Sequence, residues 1–212
     1  MILDIHSHRL PPYADGVISV SPADFPSSDR FPEQLFSVGF HPWDVTAGFP
    51  GPSDMDRLRE VASRQEAAAI GECGIDLVKG GMLFLQRKLF AEQAAIAEEL
   101  GEPLIIHCVR AHDHIIAFRR DLKAKVNWAI HGFRNKDSIA RLLLDAGLWL
   151  SFGSRFNEEA LRNTPLERIL AETDEEQRDI REVIATLGAV RPGITPELIA
   201  ANAARFLTLQ ER

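Results

Sequence analysis

A chain of 212 residues, 45% hydrophobic and 26% charged, has the make-up of one globular domain over residues 1–212 and lacks the low-hydrophobicity signature of disorder. Its formal charge of −7 and pI near 5.5 exclude a general basic field, so a polyanionic partner would have to be attracted locally. Cys73 and Cys108 form neither a disulfide framework nor a CxxC pair, and no apolar run reaches membrane-spanning length or follows a basic leader. The expectation is a cytoplasmic protein with no membrane contact and no obligate protein partner.

Ile2–His8 opens the chain as a short apolar run with a polar end, and reads as a first strand. Arg9–Asp15 is too short for a helix, and Gly16–Val20 is the second strand. Ser21–Gln34 carries Pro22, Pro26 and Pro32 and leads to a third strand at Leu35–His41. Ser53 is a candidate cap for a helix over Asp54–Glu66, ahead of strand four at Ala68–Asp76. Met82–Leu100 reads as a helix stopped by Gly101, and Pro103–Cys108 as strand five. Ala111–Leu122 is the next helix, followed by strand six at Asn127–Phe133. Lys136–Ala146 stops at Gly147 before strand seven, Leu148–Gly153. A helix near Asn157–Asn163 precedes strand eight, Ile169–Asp174, and Thr195-Pro196-Glu197 reads as the start of a helix running to Phe206. Eight strands alternating with helices predict an α/β fold: a compact (β/α)₈ TIM-type barrel with one or two helices missing or shortened after strands one and two.

Strand alternation puts Asp4, His6 and His8 on one side, facing the barrel interior. Taken alone, this HxH pattern is equally a pair of hydrogen-bonded core histidines. Recurrence favours ligation: Glu72, His107, His131 and Asp174 each follow an apolar strand run, so all converge at the C-terminal mouth where barrel chemistry sits. Four imidazoles and two carboxylates exceed what one four-coordinate ion needs. Two divalent ions (Zn, Mn or Mg) bridged by Glu72 are expected, with a hydroxide between them as nucleophile. Asp174 and Glu72 are the candidate catalytic groups, Asp174 as ligand and proton acceptor. Asp4 and Glu172 are candidates for orienting the ligand histidines.

These residues lie in motifs that resemble the TatD family of metal-dependent deoxyribonucleases and related hydrolases: DIHSH at Asp4–His8, GFHP at Gly39–Pro42, AIGECGID at Ala69–Asp76, IIH at Ile105–His107, IHGF at Ile130–Phe133 and ETD at Glu172–Asp174. The resemblance implies a metal-binding set of His6, His8, Glu72, His107, His131 and Asp174. It also implies hydrolysis of phosphodiester bonds at the 3′ end of DNA. Gln86, Phe90, Gln93, Asn202, Arg205 and Phe206 match the family pattern as packing residues. The chain departs from it in three places: the segment after strand one is short, Val109 stands where the family has arginine with Arg110 one place later, and Glu175-Glu176-Gln177-Arg178 replaces the usual loop after Asp174.

The resemblance also makes His41 a contact for phosphate or leaving group, against the plainer reading of a loop brace. Arg110, Arg134 and Arg155 are candidate substrate contacts, and with Arg9, Lys79 and Lys136 they would form a local positive rim. Any one of them alone is as well explained by solvation. His112 and His114, two apart on a helix, cannot share a metal. Cys73 and Cys108 point into the strand–helix layer, and Trp43 either stacks on a substrate or covers apolar surface. Two other functions compete: a binuclear hydrolase of a small amide, lactone or carboxylic ester, and a non-catalytic metal-bearing binding module.

Overall fold

The structure is a computed structural model that describes residues 1–26, 30–31, 33–46, 48 and 50–208. Eight parallel strands lie side by side in chain order: β1 (Asp4–Ser7), β2 (Gly16–Val20), β3 (Leu35–Val38), β4 (Ala67–Asp76), β5 (Leu104–Val109), β6 (Trp128–Ile130), β7 (Trp149–Phe152) and β8 (Ile169–Ala171). The ring closes just beyond the last strand, where Asp174 N donates to His6 O and His8 N donates to Asp174 O, both at 3.0 Å. The result is the expected TIM-type barrel.

Seven α-helices are described: α1 (Pro52–Ala62), α2 (Leu83–Leu100), α3 (His112–Leu122), α4 (Asp137–Asp145), α5 (Glu158–Asn163), α6 (Ile180–Val190) and α7 (Pro196–Phe206). No helix stands between β1 and β2 or, among the described residues, between β2 and β3; Pro32 lies outside those residues. None of the described helices is long and apolar enough to cross a membrane.

Local chemistry explains most boundaries. Gly101 sits at φ 77° and closes α2, while the Thr195 side chain accepts from Leu198 N ahead of Pro196 at the start of α7. Ser53 is not the cap of α1: the helix begins earlier, at Pro52, and Gly51 N is held by Asp54 Oδ2 at 2.7 Å. The sequence reading assigns no helix between Asp174 and Thr195, where Ile180–Val190 is rich in β-branched residues and contains Gly188. Burial overrides that propensity: Ile180, Val183, Ile184 and Leu187 fall on one helical face and pack inward.

Two apolar layers result. One fills the space between strands and helices and contains Cys73, with Cys108 packed against it. The other fills the lower lumen with Ile5, Val17, Ala69, Ile105, Ala129 and Leu170, plugged by Ala203, Phe206 and Leu207 at the end of the chain's last helix. The polar residues that follow on the same strands lie above this plug.

Strand alternation fails at two places that matter. Between the pairs Asp4–Gly16 and Ser7–Ile18, β1 has one residue more than β2, and between Ile70–Leu104 and Cys73–Ile106, β4 has one more than β5. These are β-bulges, which re-aim side chains and recur beside active sites. In β1 the bulge corrects the expectation that Asp4 faces inward with His6 and His8. Asp4 instead accepts from Tyr13 Oη at 3.1 Å and from Thr173 Oγ1 at 2.6 Å, outside the lumen.

Candidate metal centre

The strand ends bring His6, His8, Glu72, His107, His131 and Asp174 together around the Glu72 carboxylate. Glu72 Oε2 lies 3.4 Å from both His6 Nε2 and His8 Nε2, and Asp174 Oδ1 is 3.6 Å from each of those nitrogens. Glu72 Oε1 faces a second group: His107 Nδ1 at 2.6 Å, His131 Nε2 at 2.8 Å and His41 Nε2 at 3.2 Å. One carboxylate thus presents each oxygen to a different set of donors, and His6–His8–Asp174, His6–Glu72–His131 and His41–Glu72–His107 are each close enough together to share a cation.

Burial tests whether this set fits cations. His6 is fully buried, yet neither Nδ1 nor Nε2 makes a hydrogen bond of good geometry; the same holds for His131 Nδ1 and Glu172 Oε2. Buried polar atoms left unpaired cost free energy, so a cation that accepts their lone pairs would relieve the site. The protonation pattern agrees. Burial and the neighbouring His131 oppose charge on His6, but Asp174 and Glu72 outweigh them and hold its pKa up at about 9. Burial likewise disfavours charge on His131 and is outweighed by Glu72 and Glu172, which push it well above the usual histidine value. Glu72 itself stays ionised in spite of burial, because His131, His107 and His41 hold its pKa well below the usual carboxylate range. The carboxylates thus favour positive charge among these imidazoles. Asp174 adopts φ 54°, a left-handed conformation uncommon for a non-glycine residue, beside the ring closure.

Surrounding groups fix the donors. Glu172 Oε1 accepts from Gly132 N at 2.6 Å and lies 3.5 Å from His131 Nδ1, so it can orient that ring. Asp4 touches no imidazole; it accepts from His6 N at 3.2 Å and from Thr173 N at 3.1 Å, bracing the backbone that carries the ligands. Gln93 clamps Phe40 N and O, and Gln86 clamps Asp76 N and O, so both are hydrogen-bonding braces beyond simple packing.

Asp76 stands at the site although the sequence reading gave it no role. Its Oδ2 accepts from Trp43 Nε1 at 2.8 Å and faces His107 Nε2 at 3.3 Å; its Oδ1 accepts from Val78 N and Lys79 N. The signal was present, since Asp76 lies four residues after Glu72 on one strand and shares its face.

A cavity of about 720 Å³ opens over the cluster, with His41, Trp43, Lys79 and Arg134 in its wall. A second, of about 350 Å³, adjoins it through His107, His131 and Asp174 and takes in Arg110, Arg134 and Arg155. Arg155 is 3.9 Å from Glu176, which offsets part of its charge. Arg9 does not serve the rim as expected: its guanidinium binds the carbonyls of Glu176 and Arg178 and ties down the segment after Asp174. His112 pairs with Asn135 and His114 with Arg87, so the two do not converge.

The TatD related DNase family model matches residues 23–207 of this chain. The 3′-5′ ssDNA/RNA exonuclease TatD of Klebsiella pneumoniae is 32% identical over 148 residues, 65% of this chain and 56% of that protein. The metal-dependent hydrolase YcfH of Escherichia coli is 30% identical over 197 residues, 81% of this chain and 73% of the relative. The alignment with the Klebsiella relative thus spans little more than half of that protein's length. Among solved structures, the TatD homologue YjjV of Escherichia coli superposes with a TM-score of 0.81 at 18% identity, covering 97% of this chain and 96% of its own. A TatD family hydrolase from Entamoeba histolytica gives 0.78 at 12% identity, covering 97% of each chain, and these two likenesses speak to the fold. The family match and the Escherichia coli sequence relative place this chain in the TatD family of metal-dependent hydrolases.

Proposed function

We propose that this chain is a two-metal phosphodiesterase that acts on the 3′ ends of nucleic acid strands. The observation that carries the reading is the Glu72 carboxylate, whose two oxygens face two separate donor groups: His6, His8 and Asp174 on one side, His107 and His131 on the other. His41 could join the second group or contact the substrate. Divalent cations held by this set would supply Lewis acidity at a phosphoryl oxygen and an acidified water.

The chain's own residues account for the rest. The Asp174 side chain is 43% exposed at the mouth and 3.6 Å from two imidazoles, a position from which it can take the proton of an attacking water. Glu72 is 8% exposed and serves to neutralise charge rather than to reach substrate. Arg134 lines both cavities, and Arg110 and Arg155 line the second, so a phosphate entering there would meet positive charge on an otherwise acidic protein. The activity of the Klebsiella relative supports the substrate class.

The test is elemental analysis of the purified protein, then hydrolysis assays on single-stranded oligonucleotides with Zn²⁺, Mn²⁺ or Mg²⁺. Two ions per chain and mononucleotide release from 3′ ends are expected, with KM raised in Arg134→Ala and Arg155→Ala. Turnover of carboxylic esters or lactones with no cleavage of oligonucleotides would move the chain to the small-ester class.

A further inference from the structure

We propose that Trp43, locked by Asp76 and flanked by Lys79, is a stacking subsite for the terminal nucleobase of the substrate strand. The proposal rests on the phosphodiesterase reading and assigns it a base-binding residue.

The chain has three tryptophans. Trp128 is fully buried and Trp149 is 5% exposed, whereas Trp43 is 40% exposed and lines the cavity over the metal centre. An indole that merely covered apolar surface would bury its ring and leave its N–H to solvent. Trp43 does the reverse: its Nε1 donates at 2.8 Å to Asp76, which is 2% exposed, while much of the ring faces the cavity. That bond fixes the orientation of the ring before any ligand arrives.

Asp76 also fixes the distance of the ring from the chemistry. The carboxylate oxygen that accepts from the indole is 3.3 Å from His107 Nε2, while Nδ1 of that imidazole faces Glu72. The Trp43 ring centroid stands 4.5 Å from that of His41 and 5.9 Å from that of His107. A flat group held against this wall therefore sits beside the ligand set. Asp76 also anchors the backbone of the neighbouring cation: its other oxygen accepts from the Lys79 main-chain N–H at 2.9 Å, and Lys79 Nζ lies over the Trp43 ring, 4.9 Å from its centroid. An indole ring with an ammonium over it supplies a π-surface and a positive charge together, which match a nucleobase with a phosphate attached. An aliphatic ester or lactone would use neither. Stacking of this kind tolerates any base, which suits digestion from an end.

Contact quenching by a bound nucleotide reads Trp43, because the other two tryptophans emit but are buried out of its reach. The metal-loaded protein is titrated with thymidine 5′-monophosphate and, separately, with 2-deoxyribose 5-phosphate; calorimetry gives the same affinities for the variants. Saturable quenching by the nucleotide is expected, with the sugar phosphate binding about tenfold more weakly, the scale of one stacked base. Trp43→Leu should bind both probes alike, and Trp43→Phe should recover most of the preference. On oligonucleotides, Trp43→Leu should raise KM about tenfold with kcat changed by less than about twofold. Equal affinity of the unaltered protein for the two probes, or a preference that survives in Trp43→Leu, would overturn the subsite. If oligonucleotides are cleaved and an abasic 3′ end is cleaved as efficiently as a complete one, the subsite falls while the phosphodiesterase reading stands. A Trp43-dependent nucleotide preference in a protein that cleaves no phosphodiester would keep the subsite and sink that reading instead.

Discussion

Replacing Asp76 by Asn tests how much of the site rests on one carboxylate. Its two oxygens serve four N–H groups: Val78 N at 2.7 Å, Lys79 N at 2.9 Å, Trp43 Nε1 at 2.8 Å and His107 Nε2 at 3.3 Å. An amide keeps one acceptor oxygen and turns an NH₂ toward two groups that can only donate or must reorient. Burial would raise the carboxyl's pKa, but the Lys79 N–H, the Trp43 indole, the Val78 N–H and His107 together hold it at about 2 against an ordinary 3.8. That depression corresponds to about 2–3 kcal/mol, each tenfold in acidity being worth about 1.4 kcal/mol. A hydrogen bond to a charged group is worth about 1.5–3 kcal/mol, so losing one of the four falls in the same range. Because the folded pKa is depressed, the contribution is fully present above 3.8 and is lost as pH falls through about 2. Urea unfolding in the presence of a chelator should therefore find Asp76→Asn less stable by about 2–4 kcal/mol at pH 7, with the gap narrowing as pH falls from 4. Metal affinity should drop about 10- to 100-fold through the loosened His107 ring. A loss below about 1 kcal/mol together with unchanged metal affinity would refute the view of Asp76 as an organising group.

The backbone under the site should be equally intolerant. Gly74 sits at φ 150°, and a Cβ there would lie 1.9 Å from the His107 carbonyl oxygen, so Gly74→Ala must push β4 and β5 apart. About 3 kcal/mol is expected, or a fall in Tm of about 6–12 °C; a melt within about 2 °C of the unaltered protein would mean the strands separate more easily than their pairing implies. Metal should stabilise in turn: a cation at about 100 times its Kd adds about 2.7 kcal/mol, raising Tm by about 5–10 °C. That shift should vanish in Glu72→Gln, and its persistence there would remove Glu72 as the shared ligand.

Much of the barrel was legible because short apolar runs alternate with amphipathic ones. β2 matches its expected span, Gly16–Val20, end to end, whereas β1, β3, β6 and β8 stop short of the polar residues assigned to them. His8, His41, His131 and Asp174 stand just past the ends of the strands, at the mouth. The sequence could show residue types suited to ligation and the strand ends that carry them. It could not show that Arg9 is spent on the carbonyls of Glu176 and Arg178, since that contact joins residues 167 and 169 positions apart. Trp43 was ambiguous for the same reason: its role depends on Asp76, on another strand.

The bulges explain why alternation misled at Asp4 and also why the site can exist. In β4, Ala69 faces the lumen and belongs to the plug, while Ile70, Cys73 and Ile75 pack in the outer layer. Unbroken alternation from Ala69 would send Cys73 into the lumen and Glu72 out toward the helices. The extra residue between Ile70 and Cys73 reverses the parity, so one strand gives both an apolar plug residue and a buried carboxylate on its inner side. β1 does the same with Ile5 in the plug and His6 above it, leaving Asp4 outside to brace the backbone through Thr173 and Tyr13. A lumen that must be dry below and ligand-rich above places two demands on these strands at odd spacing, and a bulge in each reconciles them within a short barrel.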